Sequence, residues 1–348
     1  MTRIIVAAFS FLAFQGLAQD TIQAMVLNND SIEAAKLYNS GIRKFNGKEM
    51  NGAIADFTQA IEKQKDFHLA YMNRGSAYME IKKFSEAVSD FNFSLNDPEA
   101  CKDSYFLRGR CHMEMDNLDK AEGDFGSAIT ANPKDEKPYY YRGVIKFGNA
   151  DYKGAIKDFD KAIENNRSYA YAYNDRGSAK RMAEDYEGAA ADYKKALMID
   201  QSMVFAHNNL GSTLRKTGKH DQAILAYTQA IQLDGQNFQA YNNRGSAKYD
   251  KEDYKGAIED FTKAIELNPA YAYAYNNRGA AKFKLQDYKG CIDDCSKAIQ
   301  KNPNYGYAYL NRGNARELMR DDEGACADWN KSVELGTKGG EQYIGDCK

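Results

Sequence analysis

The sequence predicts an all-α fold of stacked helical hairpins, on three observations. Glycine recurs at Gly41, Gly75, Gly109, Gly143, Gly177, Gly211, Gly245, Gly279 and Gly313, nine residues each 34 apart, with no insertion or deletion. Apolar and small residues hold fixed places around these glycines at helical spacing. Pro133, Pro269 and Pro303 fall at one point of the period, where a helix must stop and the next begin. A constant period of this size marks a stacked repeat protein, in which each element buries its apolar face only against its neighbours. Such a protein offers a long surface in place of a single pocket, so the function to expect is holding a partner.

Residues 1–18 read as an export signal. Arg3 gives a short positive start, Ile4 to Phe14 is apolar except for Ser10, and Gly16-Leu17-Ala18 places small residues where a signal peptidase cuts. The apolar stretch is shorter than the ~20 residues a membrane span takes. The reading is therefore an exported protein, periplasmic or secreted, cleaved after Ala18 and not inserted in a membrane afterwards. Removing Arg3 takes the formal net charge from −2 to −3. That is close to neutral for a chain of 348 residues and gives no basic stripe for nucleic acid. Residues 19–33 are weakly patterned, a lead ending in a helix start at Asp30-Ser31.

Nine repeats of 34 residues then fill 34–338, numbered so that the phasing glycine is position 8. Position 4 is aromatic in seven repeats, Tyr71 to Tyr309, with Leu37 and His207 as the exceptions. Position 20 is alanine except for Cys291, and position 24 is Phe, Tyr or Trp except for Cys295. Positions 4, 8 and 11 lie on one helical face, and 17, 20, 24, 27 and 28 on another, so each repeat reads as two antiparallel helices. Glycine at 8 and alanine at 20 let the two backbones approach, and the large residues at 4 and 24 fill the space beside them. The two cysteines of repeat eight predict looser packing there. Residues 339–348 place Tyr343 one period after Tyr309, so the tail reads as a capping helix over the last apolar face.

This set of positions resembles the tetratricopeptide repeat (TPR) family over most of the mature chain. The resemblance implies a right-handed superhelical solenoid with a concave groove lined by the first helix of each repeat. It implies a non-catalytic scaffold that binds a partner protein or an extended peptide in that groove.

Charges also keep the period. Position 7 is Arg in seven repeats and position 23 is Asp in eight, and repeat six carries Leu210 and Ala226 instead. An Arg–Asp fork bridging the two helices of one repeat is the structural reading, and it fixes register by its bidentate geometry.

By the family resemblance, positions 2, 5, 6, 9, 12 and 13 face the groove. Position 6 carries Asn39, Asn73, Asp175, Asn209, Asn243, Asn277 and Asn311, and position 5 carries Asn174, Asn208, Asn242 and Asn276. An amide side chain donates and accepts, so a row of them can grip a peptide backbone without reading its side chains. The row is similar to the asparagine ladder in the TPR arm of O-linked N-acetylglucosamine transferases. Tyr171, Tyr273 and Tyr307 at position 2 add rigid aromatic area with a polar tip. Arg181 and Arg215 at position 12 make repeats five and six basic, whereas Met79, Met113 and Phe147 make the earlier groove apolar. The lysine and arginine set by which some co-chaperone TPRs hold a terminal carboxylate is missing from positions 5 and 6.

Two other functions stay open in the sequence. One is a structural part of an envelope assembly, joined through the convex face or the ends. The other is binding of a glycan or peptidoglycan fragment, which Tyr, Asn and Arg also suit. No catalytic motif appears. None of the four histidines is paired at metal-ligand spacing, and there is no nucleophile elbow or phosphate loop, so neither a metal nor a cofactor is expected. His207, at position 4, reads as a packed core histidine. Of the six cysteines, Cys326 and Cys347 are the candidate disulfide, which would pin the tail to repeat nine. Cys291 and Cys295 read as packing residues.

Overall fold

The computed structural model describes residues 29–345 and 347. The export signal and all but the end of the lead lie outside the described residues. Within them the fold is nineteen helices and no strand. Each repeat is a hairpin: α1 (Asn29–Asn46) with α2 (Met50–Lys63), α3 (His68–Glu80) with α4 (Phe84–Ser94), α5 (Asp103–Glu114) with α6 (Leu118–Ala131), α7 (Glu136–Gly148) with α8 (Tyr152–Asn165), and α9 (Ala170–Met182) with α10 (Tyr186–Ile199). The series continues with α11 (Val204–Lys216) and α12 (His220–Leu233), α13 (Phe238–Asp250) and α14 (Tyr254–Leu267), α15 (Ala272–Lys284) and α16 (Tyr288–Lys301), and α17 (Gly306–Leu318) and α18 (Asp322–Glu334). A final turn, α19 (Glu341–Ile344), closes the chain. No described helix is long and apolar enough to cross a membrane.

The chain divides into two compact bodies at Ser127 and Ala128, inside α6. Repeats one and two and most of repeat three belong to the first, and the rest of repeat three with repeats four to nine to the second. In both, the hairpin turn is built the same way. The residue at position 15 takes a positive φ, from Lys48 (64°) to Arg320 (66°), and only Gly218 is a glycine there. This left-handed residue lets the next amide bond back five residues, as Glu49 N–H does to Lys44 O and Asp253 N–H to Lys248 O. That double closure satisfies the last carbonyls of the first helix. Aspartate then caps the second helix: Asp151, Asp185, Asp253, Asp287 and Asp321 each accept from the amide three residues on.

The packing glycines are required by contact. A Cβ built on Gly245 would stand 2.8 Å from Cε1 of Phe261 and 3.2 Å from the Ala257 carbonyl. Gly75 and Gly177 meet Phe91 and Tyr193 in the same manner. Repeat eight corrects an expectation. Cys291 and Cys295 are fully buried, and a Cβ on Gly279 would stand 3.0 Å from the Cys295 sulfur, so packing at this glycine is as close as elsewhere. His207 corrects another: it is half-exposed, and its Nε2 lies 3.2 Å from the Gln201 carbonyl.

The cap is shorter than a first helix. Tyr343 stacks on Trp329 with ring centroids 5.0 Å apart, and Cys347 is joined to Cys326 across a Cα–Cα distance of 5.5 Å. One turn of helix, a ring stack and a covalent bond together cover the end of α18.

Candidate functional site

Within the second body, α7, α9, α11, α13, α15 and α17 each touch the next of the series, and successive second helices do not touch to the same extent. The side made by first helices is therefore the inner side of this stack, and the groove residues lie on it.

The asparagines do not form a free rail there. Asn311 donates to Asn276 Oδ1 (2.9 Å), Asn276 to Asn277 Oδ1 (3.4 Å), Asn277 to Asn242 Oδ1 (3.0 Å), and Asn242 to Asn243 Oδ1 (3.4 Å). A second chain runs from Asn209 to Asn174 (3.2 Å), from Asn174 to Asp175 (2.9 Å), and from the Tyr140 hydroxyl to Asp175 (2.7 Å). In the first body Asn73 donates to the Tyr38 hydroxyl and to its own helix at Leu69 O, both at 2.9 Å. Each link between repeats joins position 6 to position 5 of the repeat before, 35 residues back.

This corrects the asparagine reading. Asn174, Asn242 and Asn276 are buried, at 4%, 6% and 5% exposure, and cannot reach a ligand. Asn73, Asn209, Asn277 and Asn311 are half-exposed, with a donor engaged by the preceding repeat. Asn208 interrupts the chain, because its Oδ1 is buried without a hydrogen-bond partner. Asp175 is engaged by Tyr140 and Asn174; burial raises its carboxyl pKa, against both bonds. Asn39 is exposed and Asn243 half-exposed. The physical reason is position: side chains at 5 and 6 point to the seam between two first helices. Burying an amide is tolerated there only when its groups are paired.

What the inner side presents is aromatic and, in repeats five and six, cationic. Tyr273 and Tyr307 are 48% and 50% exposed. Their rings join a continuous series, Phe238–Tyr271–Tyr273–Tyr305–Tyr307, with centroids 4.8 to 6.4 Å apart. Tyr171 is half-exposed against the exposed Phe205 at 5.7 Å. Arg181 and Arg215 are half-exposed at position 12. Arg215 is paired with Asp250 of the next repeat at 2.6 Å.

The Arg–Asp fork is a scaffold element. Arg244 holds Asp260 through Nε (2.9 Å) and Nη2 (2.7 Å), and Arg74, Arg108, Arg142, Arg176, Arg278 and Arg312 repeat the geometry. All seven guanidiniums lie over the position 4 tyrosine of their own repeat, as Arg74 does over Tyr71 at 5.3 Å. Nη1 also reaches position 25 of the repeat before, as from Arg278 to Thr262 (3.0 Å). Sequence reasoning missed a third member. Position 11 puts a second cation on the same carboxylate: Lys44 on Asp56, Lys146 on Asp158, Lys180 on Asp192, Lys248 on Asp260, Lys282 on Asp294 and Arg316 on Asp328, at 2.7 to 2.9 Å. In repeat one Lys44 does the work of the missing arginine. In repeat three the place is taken by His112, 3.9 Å from Asp124, and burial lowers its pKa, with Lys120 and Arg108 adding and Asp124 opposing. Repeat six replaces all three charges by buried Leu210, Leu214 and Ala226.

The free thiols are not reactive groups. Cys101 and Cys111 are buried, and desolvation pushes each up to about 12, far from thiolate at neutral pH. No cluster of three or more metal-ligating side chains occurs among the described residues.

Family models described as "TPR repeat" match residues 211–251 and 245–286, and models described as "Tetratricopeptide repeat" match 102–135, 142–203 and 272–305. The crystal structure of MamA is 30% identical, with 46% of this chain and 94% of that one covered at a TM-score of 0.43. The chain belongs to the tetratricopeptide repeat family. YrrB, described as a TPR protein with an unusual peptide-binding site, is 24% identical over 53% of this chain and 95% of its own, with a TM-score of 0.47. The C-terminal part of a TPR repeat-containing protein from Cytophaga hutchinsonii is 19% identical and shares the fold at a TM-score of 0.56, over 69% of this chain and 99% of that one. No curated protein sequence matches. Membership of this TPR family makes the chain a protein-interaction scaffold, a type of array that is typically non-catalytic.

Proposed function

We propose that the inner side of repeats five to nine holds an extended segment of a partner protein. The observation that carries this reading is the exposure of Tyr273 and Tyr307 in a continuous series of rings, on the side where first helices converge. Half-exposed tyrosines with packed neighbours are rigid, so a ligand loses little side-chain entropy by ordering them. Recognition then rests on ring faces at Tyr171, Tyr273 and Tyr307 and on polar groups at positions 9 and 12. The asparagines contribute by keeping adjacent first helices in register, and only their exposed atoms face the ligand. The signal-like residues 1–18 support an exported protein acting in the periplasm or outside the cell.

Selection from a displayed library of random linear peptides tests the reading. We expect enriched sequences whose binding to the protein falls at least tenfold in Tyr273→Ala/Tyr307→Ala, in line with the ~1–3 kcal/mol of an aromatic contact. Enrichment that is unchanged in the double variant would remove the inner side from the account. A second reading is assembly through the outer side, favoured by Met198 and Leu225, which are 73% and 66% exposed on α10 and α12.

A further inference from the structure

Two adjacent repeats depart together from the rest of the array. At position 24, repeats five and six carry Tyr193 and Tyr227 where most others have phenylalanine, and at position 12 they alone carry arginine. The Tyr193 hydroxyl lies 3.1 Å from Ser178 Oγ, and burial raises its pKa, a rise that the Arg181 charge opposes. A buried polar floor thus sits beneath a guanidinium that other repeats replace by Phe, Met, Tyr or Glu.

The two arginines differ in one respect. Arg215 Nε donates to Asp250 Oδ2 at 2.6 Å, so a carboxylate from position 13 of the next repeat completes that site. The equivalent residue for Arg181, 35 positions on, is Lys216. Among the described residues no carboxylate pairs with Arg181, and its Nε is buried without a hydrogen-bond partner. The nearby carboxylates are engaged elsewhere, Asp175 with Tyr140 and Asn174, and Asp250 with Arg215. Arg215 therefore has a carboxylate partner from the next repeat, and Arg181, at the same position one repeat earlier, has none among the described residues.

We propose that Arg181, with Lys216 in the place that Asp250 holds for Arg215, is the receptor for a carboxylate supplied by the bound polypeptide, an Asp or Glu side chain. This rests on the inner-side reading above and names the chemistry it selects. A guanidinium matches one carboxylate by charge and by paired donors.

The internal template supplies the controls. Lys216→Asp places the chain's own carboxylate over Arg181, as Asp250 lies over Arg215, and closes the site. Asp250→Asn empties the second one. The probe is N-acetylglutamic acid N-methylamide, titrated into the full-length protein while the ¹⁵N–¹H resonances of the arginine Nε–H groups are followed. We expect a saturable shift of the Arg181 resonance, assigned by its loss in Arg181→Gln. The shift disappears in Lys216→Asp, and in Asp250→Asn the Arg215 resonance begins to respond. Affinity for the glutamine analogue is expected to be roughly tenfold weaker or worse. No saturable shift, an equal response to the glutamine analogue, or tighter saturation by inorganic phosphate would overturn the proposal. This readout needs no partner protein, so it can fail while peptide selection succeeds, and the reverse.

Discussion

Asn311 donates its side-chain amide to Oδ1 of Asn276 at 2.9 Å, across the boundary between repeats eight and nine. Asn276 in turn is bonded to Asn277 and to the Tyr305 hydroxyl. A residue type suited to gripping a ligand here fastens one hairpin to the next. Replacing Asn276 by Ala removes an acceptor and a donor from a buried seam, which costs about 1–3 kcal/mol. Because an array of repeats need not unfold as one unit, the loss is expected as faster amide hydrogen exchange in α15 and α17 than in α9.

Gly245 and Gly123 make opposite predictions for one substitution. Gly245→Ala drives a Cβ against Phe261 and the Ala257 carbonyl and is expected to destabilise by about 1–3 kcal/mol. Gly123, inside α6, has nothing within 4 Å of the same atom, and alanine there is expected to stabilise by about 0.5–1 kcal/mol. Denaturant midpoints of the two variants should move in opposite directions.

The charge triad of repeat seven can be tested against repeat six. Arg244→Leu alone leaves the buried Asp260 with Lys248 only, at a cost of about 3 kcal/mol. The triple change Arg244→Leu/Lys248→Leu/Asp260→Ala copies Leu210, Leu214 and Ala226. It is expected to recover most of that loss, because a packed apolar set of similar volume removes the desolvation penalty. Thermal melts of single and triple variants decide it.

His112 gives the first body a pH response. Its folded pKa lies below the unfolded value near 6.5, so the unfolded chain takes the proton first as pH falls. Stability is therefore complete above pH ~6.5 and declines as pH falls toward the folded pKa. His112→Lys restores the cation that position 11 supplies in other repeats and should flatten this limb of the stability–pH curve. Denaturant titrations between pH 5 and 8 would show it.

The bond between Cys326 and Cys347 closes a loop of sequence separation 21. Restricting the unfolded tail this way contributes about 3 kcal/mol in the chain-entropy account. Cys326→Ser/Cys347→Ser is expected to expose residues 335–348 to proteolysis while leaving α1–α16 protected, as followed by limited digestion and mass spectrometry.

Much of this was open to the sequence. The period, the hairpins, the close approach at Gly75 and the Arg74–Asp90 fork follow from local spacing and from residue types that change together. The orientation that the family resemblance implies puts the asparagines on the groove, whereas the seam between first helices takes them. The signal that could have corrected it is a match 35 residues apart: Asn242 with Asn277 and Asn276 with Asn311 are both polar, whereas Met72 with Leu107 are both apolar and buried. A seam needs such like pairs, and a ligand-binding rail does not. The second cation at position 11 was harder to see. A lysine four residues after an arginine reads as solvated surface until the shared carboxylate is placed between them.

On this reading a polypeptide lies along the first-helix side. A photo-crosslinking amino acid at Tyr273, and separately at Met198 on the outer side of α10, tests it directly with a peptide selected against the protein. A covalent adduct is expected from position 273 and none from position 198, with the crosslinked peptide identified by mass spectrometry. Adducts from position 198 alone would contradict it and move recognition to the second-helix side.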